Sequence, residues 1–276
     1  MYEKPEMLYL DLMKKALSFI LWPEPPVPIN DFPGSISPIK RFLASAISKI
    51  FNKGRFQIVV NRNISLAQRI EGRAWPGYAD TMIGLKRLDN LQTCIEIVCN
   101  DDVEGDLIET GVWRGGACIF MRAVLIAHKM GTRKVFVADS FEGLPEPDEE
   151  KYPADKGDKH YTNSYLVVSQ EDVENNFKRY GLLDDRVIFL KGWFKDSLPI
   201  APIEKLAILR VDGDMYGSTM ESLVYLYPKL SVGGFCIIDD YSLDGCKLAV
   251  DNYMAKNKIN SKKNSIDSNS IYWRKE

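Results

Sequence analysis

Residues 206–219, LAILRVDGDMYGST, run from an almost unbroken apolar segment into two aspartates two positions apart. A run this short, rich in Ile, Leu and Val, reads as a strand buried on both faces. Asp212 then stands where the strand ends. Four more runs have the same form: DLIETGVW (106–113), KVFVADSF (134–141), RVIFLKGWF (186–194) and GGFCIIDDY (233–241). Residues 115–129, about 170–181, 218–229 and 244–257 lie between or after these runs and have helical composition. Strand and helix in alternation imply a parallel sheet with right-handed crossovers. The expected fold is α/β, a Rossmann-like, doubly wound and mainly parallel sheet with helices on both faces.

Bulk properties agree. The chain has 276 residues, 45% hydrophobic and 27% charged, with a net charge of −2. Composition is that of a globular protein, and no overall field is present to attract a nucleic acid. The five cysteines, Cys94, Cys99, Cys118, Cys236 and Cys246, are odd in number and mostly sit in apolar runs. Such usage suits buried thiols in a reducing compartment, so a cytoplasmic location is expected.

The N-terminal part is expected to be a helical extension, residues 1–64, ahead of a catalytic domain over 65–276. MLYLDLMKKALSFILW (7–22) is interrupted by Asp11, Lys14 and Lys15, which leaves neither a signal-peptide core nor a membrane span. It reads as an amphipathic helix, stopped by the prolines of WPEPPVP (22–28). Ile39, Phe42, Leu43, Ile47, Ile50 and Phe51 recur at helical spacing, with basic residues mostly on other faces. A helix over 37–54 that covers the active-site edge or meets a second subunit is expected, and with it a homo-oligomer. The polar stretch 257–270 reads as a mobile loop before IYWRKE.

The carboxylates then fall into register. Glu109 closes the first run, Asp139 the second, Asp212 the fourth, and Asp239 with Asp240 the fifth. All five should gather at the C-terminal edge of one sheet, where open α/β sheets bind ligands. The turn ETGVWRGG supplies glycines for close backbone approach but lacks the G-x-G-x-x-G spacing. Asp139 is placed to accept the hydroxyls of a ribose. Glu109 in the turn would repel a pyrophosphate yet pair with a cationic amino acid moiety. S-adenosylmethionine therefore fits better than NAD. Asp212, Asp239 and Asp240, without His or Cys nearby, suit a hard cation such as Mg²⁺, Ca²⁺ or Mn²⁺. Consecutive strand residues face opposite ways, so Asp239 and Asp240 share an ion only if the chain bends there.

GYADTMIGLKRLDNLQ (77–92), LIETGVWRGGACIFMRA (107–123), VFVADSFEGLPEPD (135–148), FLKGWFKDSLP (189–199), ILRVDGDMYGSTMESLVYLYPKLSVGGFCIIDDY (208–241) and GCKLAVDNYM (245–254) together resemble the macrocin-type (TylF-like) sugar O-methyltransferases of natural-product pathways. The likeness runs from about residue 65 to 255, and LYLDLMKKAL (8–17) belongs to it. It implies dependence on S-adenosylmethionine and Mg²⁺, with a glycoside or sugar hydroxyl as acceptor. By the same resemblance Asp212, Asp239 and Asp240 bind the metal, and Asp214 is a candidate general base. Glu109, Gly111, Asp139, Ser140 and Trp193 would line the cofactor, with Thr81, Met82 and Ile83 closing over it. Ala74 and Asp80 depart from the Asp and His expected there.

The chemistry requires these residue types. A cation lowers the pKa of a weakly nucleophilic hydroxyl and orients it, and Asp214 would remove the proton as the oxygen attacks the sulfonium methyl. Trp193 and Phe194 would stack on adenine or fill core, His128 reads as structural, and the long polar stretch around His160 as a lid or a solvated loop. Two other classes share part of the pattern: a binder of the cofactor or a nucleotide without catalysis, and a metal-dependent hydrolase.

Overall fold

The structure, a computed structural model, describes residues 4–29, 37–51, 58–62, 64–74 and 77–276. Leu10, Met13 and Leu17, spaced three and four apart, form the buried stripe of helix α1 (Pro5–Leu17). Strand β1 (Val27–Pro28) pairs antiparallel with β2 (Val59–Val60), and α2 (Pro38–Phe51) lies between them in sequence. Helix α3 (Leu66–Ile70) opens on a capping box made by Ser65 and Gln68. Helix α4 (Leu85–Asn100) buries Leu88, Leu91, Ile95 and Val98 on one face.

The alternation read from the sequence follows: β3 (Asp106–Thr110), α5 (Gly116–Ala127), β4 (Val135–Asp139), α6 (Gln170–Arg179), β5 (Val187–Lys191), α7 (Phe194–Ser197), β6 (Leu206–Val211), α8 (Tyr216–Leu226), β7 (Leu230–Ile238) and α9 (Asp244–Lys256). Two short strands, β8 (Asn264–Ser265) and β9 (Ile271–Arg274), complete the sheet. Its order is β5-β4-β3-β6-β7-β9-β8. Strands β3 to β7 pair in parallel, whereas β9 is antiparallel to both β7 and β8. This is the doubly wound, mostly parallel sheet expected.

Alternate strand residues feed two cores. Leu107, Val137 and Ile237 pack toward α1, α4, α5 and α6, while Ile108, Phe136 and Cys236 pack toward α8 and α9. Helix α1 is thus part of the main core, and the extension drawn over 1–64 divides: α2 leaves Ile39, Phe42 and Leu43 71%, 73% and 53% exposed. The side chains of Arg41 and Lys49, part of the basic pattern read there, lie outside the described residues. None of the described helices is long and apolar enough to cross a membrane.

One expectation needs correction. The stretch 257–270 is not a loose loop, because Asp267 Oδ1 accepts the N–H groups of Asn269 and Ser270 at 2.8 and 2.9 Å. The following IYWR alternates inward and outward as an edge strand does, with Trp273 fully buried. The polar composition of 257–270 reflects local hydrogen bonding, not freedom.

The chain leaves β3 for β4 and β5 on one side, then returns to β6 on the other. That reversal places the switch in strand order between β3 and β6.

Candidate active site

The C-terminal ends of β3 and β6 meet closely. Gly111 has φ +83°, and a Cβ there would stand 1.8 Å from the Asp212 carbonyl oxygen. Only glycine accepts both the conformation and the approach. The ladder continues one residue past each strand, since Asp212 N–H donates to Thr110 O and Asp239 N–H to Val211 O, each at 2.9 Å. These bonds set Asp212 and Asp239 side by side.

The puzzle of Asp239 and Asp240 resolves at the end of β7. The strand stops at Ile238, and a turn closed by Leu243 N–H on Asp240 O, 2.8 Å, bends the chain. One carboxylate oxygen each from Asp212, Asp239 and Asp240 then lies within 4.8 Å of the others. Asp214 joins them: its N–H donates to Asp240 Oδ2 at 3.2 Å, and its φ of +53° turns the chain from the strand toward α8.

These ends open on a cleft of about 500 Å³. Of the residues named from sequence, Met82, Gly111, Asp139, Ser140, Trp193, Asp212 and Asp214 line it. Thr81 and Ile83 are buried beside Met82, each 5% exposed, and Ile83 N–H donates to Thr81 Oγ1 at 3.3 Å. Asp139 ties the first turn to the second, accepting Val112 N–H on Oδ2 at 2.7 Å and Phe141 N–H on Oδ1 at 2.8 Å. Oδ1 also accepts Ser140 Oγ–H at 3.3 Å. Trp193 and Phe194 both border the cleft, half-buried, and Phe194 also packs against the core on the α8 and α9 side. Asp80 is a local brace that accepts Tyr180 Oη at 2.7 Å.

The profile of the macrocin O-methyltransferase (TylF) family matches residues 6–275. The chain belongs to that family. It is 46% identical over 275 residues to the 8-demethyl-8-(2,3-dimethoxy-alpha-L-rhamnosyl)-tetracenomycin-C 4'-O-methyltransferase of Streptomyces olivaceus, covering 99% of this chain and 95% of that one. It is 54% identical over 209 residues to the demethyldecarbamoylnovobiocin O-methyltransferase of Streptomyces niveus, covering 75% and 80%. Among solved structures, that of the O-methyltransferase NovP superposes with a TM-score of 0.82 at 45% identity, covering 98% of this chain and 99% of that one.

Beneath the carboxylates of this O-methyltransferase lies a pair of arginines that the sequence reading did not single out. Arg210 is 1% exposed; its Nη1 binds Glu109 Oε1 and, at 2.9 Å, Asp212 Oδ2, and its Nη2 binds Asp239 Oδ1. Arg87 Nη1 reaches Asp239 Oδ2 at 2.5 Å. Glu109, expected to face a cationic moiety of the ligand, is 2% exposed and held by Arg210 and, at 3.0 Å, by Cys118 Sγ. It supports the turn from below and is absent from the residues that border the cleft. A guanidinium inside an apolar strand was the available signal for Arg210, because a buried charge requires a partner.

Acids still outnumber these cations, and protonation responds. Burial, then Asp212 and the other aspartates, push Asp240 well above the usual carboxylate range. Burial and Asp212 bring Asp214 to about 7, with His160 pulling it down. Glu109 also rises to about 7 through burial, against the pull of Arg210.

The polar stretch 142–166 forms a wall of the cleft through Leu144, Pro145, Asp148 and Tyr152. It is fastened by Asp155, whose carboxylate accepts the first N–H groups of α8, Tyr216 at 2.6 Å and Gly217 at 2.8 Å. His160 bonds Asp158 at 2.8 Å on the same stretch, and His128 contacts Glu96 at 3.1 Å, far from the cleft.

Proposed function

We propose that this chain transfers a methyl group from S-adenosylmethionine to a sugar hydroxyl of a glycosylated natural product, with Mg²⁺ held by Asp212, Asp239 and Asp240. The observation that carries the reading is the convergence of those three carboxylates beside Asp214, with Asp212 and Asp214 bordering the cleft and Asp239, buried, and Asp240, half-buried, next to them, outside its lining. Hard oxygen donors without nitrogen or sulfur fit a hard cation, and the raised pKa of Asp240 marks a cluster whose charge a dication would neutralise. The rhamnosyl group named for the Streptomyces olivaceus relative supports a sugar acceptor.

When bound, the cation lowers the pKa of the acceptor hydroxyl and fixes its direction, and S-adenosylmethionine supplies the electrophilic methyl group. The chain does the rest. Gly111, Asp139, Ser140 and Trp193 form the cofactor side of the cleft, with Met82 at its border and Thr81 and Ile83 behind it. Asp139 presents its carboxylate, chiefly Oδ2, to a ribose hydroxyl, and the faces of Trp193 and Phe194 offer stacking surface. Asp214 takes the hydroxyl proton. A carboxyl group with a pKa near 7 is suited to that work because a sizeable fraction is ionised at neutral pH and that form is still basic. The stretch 142–166 closes the acceptor side and limits water.

The five unpaired cysteines fit a cytoplasmic enzyme, and the bare apolar residues of α2 fit contact with a second copy of the chain. A panel of deoxysugar glycosides incubated with labelled S-adenosylmethionine tests the function. Label should appear in a glycoside only when divalent cation is present. Transfer that is indifferent to EDTA would remove the metal from the reading, and release of water-cleaved product without label would point to hydrolysis.

A further inference from the structure

Each oxygen of Asp239 accepts one guanidinium N–H and keeps a second lone pair. Arg210 comes from β6, directly under the site. Arg87 comes from elsewhere, in the first turn of α4. Its Nε donates at 2.7 Å to Asp267 Oδ2, on the loop between β8 and β9. The Arg87 side chain is 7% exposed and that of Asp267 0%. A guanidinium buried between two carboxylates recovers its desolvation cost only in near-ideal geometry, so the arrangement has little freedom. Asp267 is itself locked by the N–H groups of Asn269 and Ser270, and Ser270 Oγ donates to the Asp239 backbone carbonyl at 2.5 Å. Asp239 is therefore gripped at its carbonyl by the loop and at its carboxylate by Arg87.

Met82, five positions before Arg87, borders the cleft. Asp80 and Thr81 N–H groups donate to Leu17 O at 2.9 and 3.3 Å, and Gly116 N–H donates to Asp80 O at 3.0 Å. Gly84 lies so close to the preceding turn that a Cβ there would stand 2.2 Å from Gly72 N. Residues 80–87 thus have one end fixed to the start of α5, on the cofactor side, and the other fixed to Asp239.

We propose that Arg87 is a positioning residue that couples the cation site to the Met82 wall through Asp239, so that cofactor and divalent cation strengthen each other's binding. The proposal rests on the metal and cofactor reading above. Coupling of this kind is reciprocal by linkage: whatever factor the cofactor lends to Mg²⁺ affinity, Mg²⁺ returns to the cofactor. Lysine at 87 would keep the charge but not the planar fork that holds Asp239 and Asp267 together. Arg87→Lys therefore isolates orientation from charge, which matters because deleting the cation outright would favour Mg²⁺ electrostatically.

Calorimetry on the full chain provides the test, with Mg²⁺ titrated in the absence and presence of saturating S-adenosylhomocysteine, which cannot turn over. In the wild type, S-adenosylhomocysteine should tighten Mg²⁺ by about fivefold or more. Arg87→Lys should weaken Mg²⁺ about 10- to 100-fold, as loss of a partner that orients a metal ligand does, and should erase the dependence on S-adenosylhomocysteine. Its affinity for S-adenosylhomocysteine in EDTA should stay close to the wild-type value, which also reports an intact fold. Asp267→Asn, a milder change, should reproduce the pattern by releasing Arg87. Undiminished coupling in both variants, or independent binding of the two ligands in the wild type, overturns the proposal. A wild type that binds S-adenosylhomocysteine but no Mg²⁺ overturns the metal reading, and this proposal with it.

Discussion

Replacing Arg210 with methionine removes a fully buried cation from three carboxylates at once. Its Nη1 serves Glu109 and Asp212, its Nη2 serves Asp239, and the side chains of Glu109 and Asp239 are only 3% and 6% exposed. Arg87 remains to hold Asp239, but Glu109 keeps only the weak Cys118 thiol. Breaking a buried pair from one side costs about 3–5 kcal/mol, because the surviving charge has no water to return to. A domain of this size has about 5–15 kcal/mol to lose, so the loss should show as a large fall in urea midpoint. The pH dependence has a definite sign. Glu109 already sits near 7 in the folded protein, through burial opposed by Arg210. Without Arg210 it rises further above its unfolded value near 4.5. A group raised in this way lends stability that is fully present below the unfolded pKa and disappears as pH rises through the folded one. Arg210→Met should therefore be worst above neutral pH and recover as pH falls from 8 toward 5. Adding Glu109→Gln should restore part of the loss at pH 8. A deficit under about 1 kcal/mol at pH 8, or one that grows on acidification, would refute the buried network as described.

Three other predictions follow from single contacts. Gly111→Ala imposes a Cβ 1.8 Å from Asp212 O at φ +83°, so the strained backbone should cost about 1–3 kcal/mol in chemical denaturation and turnover should fall as the 212–214 turn shifts; an unchanged denaturation midpoint would contradict the geometry. Asp155→Ala leaves the Tyr216 and Gly217 amides without their acceptor; hydrogen exchange should quicken at both and across 148–158, with about 0.5–2 kcal/mol lost, the scale of a helix cap. Phe42→Asp places a charge on the bare face of α2; light scattering should report a smaller particle than for the wild type, and an identical mass would argue against self-association there.

Much of the fold was legible because its central strands, β3, β4 and β6, are buried on both faces. Such strands read as short apolar runs, and the helix expected at 244–257 is found at Asp244–Lys256, where Cys246, Ala249, Val250, Tyr253 and Met254 recur at helical spacing and are buried. Strand β9 was harder to see. It is a four-residue edge strand after a polar stretch, and its support comes from Trp273, whose partner Tyr227 is 46 positions away in sequence. At the site, the alignment of acids with strand ends put Asp139, Asp212 and Asp239 at one edge, since parallel strands share a direction. Which acids would be neutralised from below could not be read. That depends on Arg87 lying 152 positions from Asp239 and on Glu109 pairing across strands with Arg210. The bend that lets Asp240 join Asp239 is likewise a property of the turn after β7, not of residue spacing.

The central claim assigns the metal to Asp212, Asp239 and Asp240 and the proton to Asp214, and one paired experiment tests it most directly. Mg²⁺ is titrated by calorimetry into Asp212→Asn and Asp214→Asn, and the initial rate of methyl transfer is followed for each across pH. Asp212→Asn should weaken Mg²⁺ binding, with turnover partly restored by excess Mg²⁺. Asp214→Asn should bind Mg²⁺ and cofactor nearly as the wild type does, yet lose about 10²- to 10⁴-fold in turnover, recovered in part as hydroxide replaces the missing base at high pH. If Asp214→Asn instead mainly raises the Mg²⁺ requirement, Asp214 supports the metal ligands, and the proton leaves by another route.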